Sequence, residues 1–155
     1  MIHSQSSQVI EVIEPASISA GATTAGEIDC LGFTSAIVIL NCGAMQGAMT
    51  TCSLTEGDVT GSATDAIDEL TVGNAKCVDV EGTAIALAAT NTSDCIVFHV
   101  NLAKRKRFLK LNTVSASGGA SVFGATAILF GPDVQLNTNA AMATASTGTA
   151  LVTNV

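Results

Sequence analysis

The chain has no tryptophan or tyrosine, and only six of its 155 residues are lysine or arginine. It has no run of about 18 apolar residues, so we expect no membrane-spanning helix. The N-terminus has no cationic region followed by an apolar core, so we expect no secretory signal. Sugar-binding sites usually have aromatic platforms, and five phenylalanines are the only aromatic side chains here. A membrane protein is therefore not expected, and a sugar-processing enzyme is disfavoured.

Catalytic and nucleotide-binding motifs are also missing. The sequence contains no nucleophile elbow, Walker loop, dinucleotide fingerprint or His-Glu-x-x-His motif. His99 lies four residues from Cys95 in a strand-like segment, and four strand residues span about 13 Å, so the two cannot share a proton directly. We therefore predict that the protein is not an enzyme and uses no cofactor or metal. His99 is interpreted as an interface or sheet-face residue.

Two groups of carboxylates and five cysteines are the remaining candidates for site chemistry. Glu56 and Asp58 form one acidic group, and residues 65–69 contain another. Either group could hold calcium if a loop gathered it, but the spacing matches no dedicated calcium loop and favours solvated turns. The number of cysteines is odd, and no two of them form a Cys-x-x-Cys pair. Reduced, buried thiols are the favoured prediction, with a disulfide or metal cluster as the alternative.

The composition favours packing surfaces over chemistry. Charged residues make up 12% of the chain, about half the usual share, and the small residues Ala, Thr, Ser and Gly make up close to half. Such a surface suits a protein that packs against copies of itself or a scaffold, and equally a neutral small-residue β protein. The net charge of −7 opposes nucleic-acid binding, so no direct nucleic-acid role is expected.

β-strand patterns dominate the sequence. About eight short strands are predicted, at residues 8–14, 27–31, 35–42, 48–55, 83–89, 93–102, 107–115 and 121–130. Residues 35–42 form a near-continuous apolar run, which is typical of a strand buried on both faces. Pro15 is predicted to end the first strand, and residues 65–70 suggest a short helical turn.

These strands predict an all-β fold, a jelly roll or β-sandwich of about eight antiparallel strands with extended terminal arms. Its predicted organisation is an N-terminal arm or edge strand over residues 1–14, a sandwich domain over residues 15–133 and a C-terminal arm over residues 134–155. The apolar end of that C-terminal stretch suggests a strand that docks on a neighbour or back on the sheet.

Five of the six cations fall within seven residues: Lys104, Arg105, Lys106, Arg107 and Lys110. Because the connector between the two flanking strands is short, we predict a hairpin with a basic tip. One interpretation is an electrostatic contact with an acidic protein surface, including that of a second copy. The other is an edge charged to prevent aggregation. These five cations and His99 are the predicted protein-contact residues.

Several segments resemble the jelly-roll cement or decoration proteins of tailed-bacteriophage capsids. Residues 27–33 followed by 36–39 are similar to an early strand pair of that family. Residues 97–102 running into 104–109 are similar to its late strand, basic turn and strand. Residues 126–129 resemble its final core strand. The similarity extends over about residues 26–131.

The resemblance implies a structural virion protein that binds the outer capsid surface and stabilises contacts between major capsid subunits. Its expected partners are the major capsid protein and copies of itself, as a dimer or trimer. Its expected location is the virion, after synthesis in the host cytoplasm. Two alternatives stay open from the sequence: a phage tail or neck component, and a lectin-like carbohydrate-binding β-sandwich.

Overall fold

The structure, a computed structural model, describes residues 7–79, 81–85 and 95–131. These residues form eight strands, and a short 3-10 turn (Leu102–Lys104) follows the sixth strand. Within the described ranges, no helix is long and apolar enough to cross a membrane. The strands are β1 (Ser7–Ile18), β2 (Thr23–Asp29), β3 (Ser35–Met45), β4 (Thr51–Gly57), β5 (Asp65–Thr71), β6 (Cys95–Asn101), β7 (Phe108–Val114) and β8 (Ser121–Phe130).

The strands form two four-stranded antiparallel sheets. The first sheet has the order β1-β8-β3-β6, and the second has the order β2-β7-β4-β5. Strand pairs 1 and 8, 2 and 7, 3 and 6, and 4 and 5 are all hydrogen-bonded. This is the pairing of one long hairpin rolled into two layers, which is the jelly-roll topology. The predicted all-β fold is thereby confirmed. The predicted C-terminal arm over residues 134–155 lies outside the described residues.

Period-two alternation places one face of each sheet in the core. On β3, Val38 and Leu40 are fully buried, whereas Ile37 and Ile39, which alternate with them, are only half-buried. On β7, Leu109 and Leu111 are fully buried and face the first sheet. Each such aliphatic side chain contributes about 1.5–3 kcal/mol when it leaves water. The space between the sheets is therefore the hydrophobic core of the described part of the chain.

The first strand does not end at Pro15, as the sequence had predicted. It continues to Ile18, and its register with β8 shifts between Glu11 and Ile13 and again between Ile13 and Ala16. Proline is tolerated here because β1 is an edge strand and carries bulges, so no ladder hydrogen bond is lost. Residues 7–14, predicted as an arm or edge strand, thus belong to a longer edge strand.

Two further predictions of secondary structure need correction. Residues 65–70 are not a helical turn: they lie in β5, which pairs with β4. Their pattern is too short to hold a helix, and pairing with β4 provides the backbone hydrogen bonds instead. In the described part of the predicted strand at residues 83–89, Ala84 forms only an isolated bridge with Val78. The remainder of that segment lies outside the described residues.

Gly26 allows the two sheets to approach where β2 meets β1. A Cβ atom at Gly26 would overlap the carbonyl oxygen of Val12 and would lie 2.6 Å from the Val12 Cγ1 atom. Gly26 pairs with the buried Leu111, so its open side faces the core and β1. The absence of a side chain is therefore a packing requirement at this position.

We expect Gly26→Ala to reduce the free energy of unfolding by about 1–3 kcal/mol, because the Val12 backbone must move to admit the methyl group. Urea unfolding followed by circular dichroism measures this. Gly118→Ala is the matched control, because its Cβ would meet only the Gln46 carbonyl oxygen at 3.6 Å. Equal effects of the two substitutions would show that Gly26 is not a point of close approach.

Candidate functional site

The basic cluster lies at a crossing between the two sheets and does not form a hairpin. β6 ends at Asn101 in the first sheet, and β7 begins at Phe108 in the second. The predicted hairpin is therefore wrong, although both flanking strands are present. The Asn101 side chain caps the intervening turn by accepting a hydrogen bond from the Ala103 N–H at 3.0 Å. Leu102 is buried beneath this turn.

Arg105 and Lys106 pair with acids of β4, β5 and the loop between them. The Arg105 guanidinium lies 3.7 Å from Glu56 Oε1, and the backbone N–H of Lys106 donates to Glu56 Oε2 at 3.1 Å. The Lys106 ammonium lies 2.5 Å from an Asp65 oxygen and 3.5 Å from an Asp58 oxygen. Three of the carboxylates that were predicted to lie in solvated turns, Glu56, Asp58 and Asp65, are thus partners of the basic cluster.

Arg107 forms a bidentate pair with Asp29 at the end of β2. Its Nε atom donates to Asp29 Oδ1 at 3.0 Å, and its terminal nitrogen donates to Asp29 Oδ2 at 2.7 Å. The guanidinium also lies over the Phe108 ring, 4.7 Å from the centroid. This geometry combines two charge-assisted hydrogen bonds with a cation–π contact. It fixes the first residue of β7 to the neighbouring strand.

Two pKa shifts follow from these contacts. The hydrogen bonds from Arg107 lower the pKa of the Asp29 carboxyl below its ordinary value of 3.8, and they outweigh the opposite effect of burial. The hydrogen bond to Asp65 raises the pKa of the Lys106 ammonium, and Asp58 adds to the effect. Both shifts favour the charged forms, so the pairs are ionised at neutral pH.

The other predicted contact residues have different surroundings. Lys104 is exposed and Lys110 is half-buried on β7, and within the described ranges neither forms an ion pair. His99 is exposed on the outer face of β6, about where a sheet-face residue was predicted. Three of the six predicted contact residues are therefore used within the chain. Lys104, Lys110 and His99 keep their side chains available to a partner.

The carboxylates at this end of the sandwich bind backbone and cations of the same chain. Glu27 adds a further link, because it accepts hydrogen bonds from the Thr60 hydroxyl at 2.6 Å and the Gly61 N–H at 2.8 Å. In the described part of the chain, no three His, Cys, Asp or Glu side chains are arranged to hold a metal ion. What these contacts do is fasten the crossing and the β4–β5 loop to the second sheet.

The outer face of the first sheet is a second candidate surface, which the sequence analysis did not identify. Its cross-strand rows run Val9–Ile128–Ile37–His99 and Glu11–Thr126–Ile39–Val97. Val9 and Val97 are 47% and 41% exposed, and the three isoleucines are half-buried. We call Val9, Ile37, Ile39, Val97 and Ile128 the apolar face. The near-continuous apolar run at residues 35–42 was the signal for it.

The outer face of the second sheet has the opposite character. In one cross-strand row, Glu27, Lys110 and Thr55 lie side by side. In the next row on this face, Ala25, Asn112 and Ser53 do so. Asn112 Nδ2 donates to the Thr55 hydroxyl at 2.9 Å, so this face is covered by hydrogen-bonded polar groups. The sandwich is therefore two-sided, with one apolar and one polar outer surface.

The cysteines contribute packing more than reactive chemistry. Burial raises the pKa of Cys30 to about 12, and burial together with the neighbouring thiols of Cys42 and Cys77 raises the pKa of Cys52 to about 12. Such thiols stay protonated at neutral pH and are poor nucleophiles. Cys95 departs from the predicted buried state: it is exposed, because it points to the outer face of β6 like Val97 and His99.

Comparisons with known proteins give little similarity. No protein-family model matches the chain, and no curated protein matches it. Among solved structures, a chain described under "Bacillus endospore appendages form a novel family of disulfide-linked pili" is 15% identical to it. The alignment covers 84% of this chain and 94% of that chain, with a TM-score of 0.36. Similarity at this level supports no inference about function.

We expect Glu56→Ala to reduce the free energy of unfolding by about 1–2 kcal/mol, because the Lys106 N–H and the Arg105 guanidinium lose their acceptor. Chemical denaturation measures the change. Glu14→Ala, an exposed acid on β1, is the control and should change the free energy by less than about 0.5 kcal/mol. Similar effects for both variants would contradict an anchoring role for Glu56.

We also expect the stability lost in Asp29→Asn to depend on pH. The folded pKa of Asp29 lies below its ordinary value of 3.8, so the ionised carboxylate stabilises the fold fully above that pH. This contribution disappears as the pH falls through the folded pKa. Wild type should therefore exceed Asp29→Asn in melting temperature near neutral pH, and the two should converge as the pH falls below 3.8 and through the lower, folded pKa of Asp29.

The matched control for Asp29 is Glu11→Gln, which neutralises an exposed acid that forms no ion pair in the described residues. Its difference from wild type should be small at every pH. A gap between wild type and Asp29→Asn that stays constant down to about pH 2 would rule out the Arg107 pair as its cause.

Proposed function

We propose that this protein is a structural virion component that binds the outer surface of a tailed-phage capsid and stabilises contacts between major capsid subunits. The observation that carries the proposal is the apolar face of the first sheet. A strand with the near-continuous apolar pattern of β3 is typically covered on both faces. Here the sandwich buries Val38 and Leu40, whereas Ile37 and Ile39 remain half-exposed. A second layer is needed to complete their burial.

The occupant we propose is the protein surface of the capsid. The jelly-roll topology agrees with the resemblance of the sequence to capsid decoration proteins, and that agreement is an argument by analogy of fold. Small, uncharged side chains can pack closely at low desolvation cost, and many copies bound to one particle multiply a modest affinity. His99 and Glu11 lie in the rows of the apolar face, and Lys104 follows β6 at the crossing, so these groups are placed to add electrostatic contacts, whereas Lys110 lies on the outer face of the second sheet.

The test is binding of purified protein to capsids that lack it. We expect Ile39→Lys to lower particle occupancy at limiting protein by at least about tenfold, because a charge is forced into an apolar contact. Ser53→Lys is the matched control, since it places the same charge on a central strand of the polar face. Circular dichroism checks that both variants are folded.

A second arm tests the remaining cations with Lys104→Glu combined with Lys110→Glu, which leaves the internal pairs of Arg105, Lys106 and Arg107 intact. If the double lysine variant loses binding at low salt and Ile39→Lys does not, the contact is made by the cations and not by the apolar face. Full occupancy by both the Ile39 and the lysine variants would overturn the proposal. Particle imaging that places the protein only on the tail would do the same.

A further inference from the structure

The free edge of β6 differs from every other free edge of the two sheets in the described structure. β6 pairs with β3 through all seven of its residues, from Cys95 to Asn101, without a shift of register. The strand contains no acidic residue, lysine, arginine, proline or glycine, and four of its residues are Ile, Val, Phe and Val. Such a flat, uncharged edge strand is a template for pairing with another strand.

The other three edges carry features that oppose strand addition. β1 contains Pro15, two register shifts and two exposed glutamates. β2 ends in Asp29 and contains Glu27, and both acids are held in hydrogen bonds. β5 contains three acids and pairs irregularly with β4. Charges, bulges and prolines are the means by which β proteins protect their edges. β6 is the edge on which none of them occurs.

Space exists beside β6 on the side away from β3. A depression of about 590 Å³ is bordered there by Val97, Phe98 and His99 of β6, and by side chains of β5 and of the segment that follows it. That border is mixed: Leu70, Val78 and Ile85 are apolar, with Val78 45% exposed, and Glu69, Lys76 and Asp79 are charged. An extended strand that hydrogen-bonds to β6 would cover these exposed apolar groups.

We propose that β6 pairs antiparallel with β6 of a second copy of this chain, across a two-fold axis. A two-fold axis perpendicular to a sheet brings an edge strand against itself in the antiparallel sense, so the same residues provide both sides of the contact. Two copies with a net charge of −7 repel each other, and an uncharged strand is where they approach at least cost. The first sheets of the two copies then form one eight-stranded sheet.

This contact goes beyond the proposed function, because it joins copies of the chain and does not involve a particle. It also extends the apolar face. Val97 and His99 point to the same side as Ile37 and Ile39, so pairing at β6 would place the apolar faces of both copies side by side. A failure of particle binding would leave this inference standing, since association is measured on the isolated protein.

The experiment is sedimentation of the isolated full chain over a wide concentration range, with reductant present because the exposed Cys95 could otherwise crosslink copies. We expect wild type to dimerise and Val97→Lys to raise the dimer dissociation constant at least about tenfold, because pairing over the full strand, centred on Phe98, brings the two introduced charges close together as diagonal neighbours on one face. Mixing Val97→Lys with Val97→Glu should restore association as a heterodimer.

Val9→Lys is the matched control. Like Val97, Val9 is an exposed valine on the outer face of an edge strand: its exposed fraction is 47%, and that of Val97 is 41%. The strand of Val9 differs because it contains Pro15 and bulges. Val9→Lys should leave the dissociation constant unchanged. Amide hydrogen exchange of wild type gives an independent readout: alternate amides of residues 95–101 should become protected as concentration rises.

Three results would overturn the inference. The first is a wild-type chain that stays monomeric at millimolar concentration. The second is association that Val9→Lys weakens as much as Val97→Lys, which would assign the contact to the apolar face. The third is a dimer whose β6 amides exchange as fast as those of the monomer.

Discussion

The structure depends on burial of alternate side chains between two sheets. Every strand offers one apolar face to the interior, and the rolled pairing of first with last and second with seventh strand brings all those faces together. Because the layer between the sheets is thin, positions such as Gly26 have no room for a side chain. The chain segments that cross between the sheets lie at the ends of the sandwich, where backbone groups no longer form strand-to-strand hydrogen bonds. Other contacts must hold these segments in place.

The charged residues serve that second requirement. Three cations of the β6–β7 crossing meet the carboxylates of β2, β4, β5 and the β4–β5 loop, so half of the six cations of the chain form ion pairs where the two sheets are joined. Exposed ion pairs each contribute little, but Glu56 also accepts a backbone N–H and Arg107 binds Asp29 through two hydrogen bonds. The cluster therefore acts first on the fold, and only Lys104 and Lys110 remain for partners.

The surfaces that remain are an apolar sheet face and an unprotected sheet edge, and they adjoin at β6. Val97 belongs to both, and His99 borders them. One surface fits a flat protein partner, the other a second copy of the strand. The proposed binding to a capsid uses the face, and the proposed pairing of two copies uses the edge, so the two contacts can be made at the same time.

The sequence by itself determined the strands with strong alternation. Residues 93–102 and 121–130 were predicted as strands and contain β6 and β8, and the predicted strand at residues 35–42 covers all but the last three residues of β3, because a period of two in apolar residues follows directly from strand geometry. Composition and charge also favoured a binding surface over a catalytic site.

Only the tertiary structure decided which sheet each strand joins and which acids meet the basic cluster. The alternating pattern of a strand shows which side chains point inward. The pattern does not depend on whether the next strand pairs beside it or crosses to the opposite sheet. For this reason the hairpin at residues 103–106 was predicted wrongly. Pro15 and residues 65–70 were misjudged because an edge position and pairing with β4 outweighed local preference. Asp29 and Arg107 are 78 residues apart, and only the rolled topology brings them together.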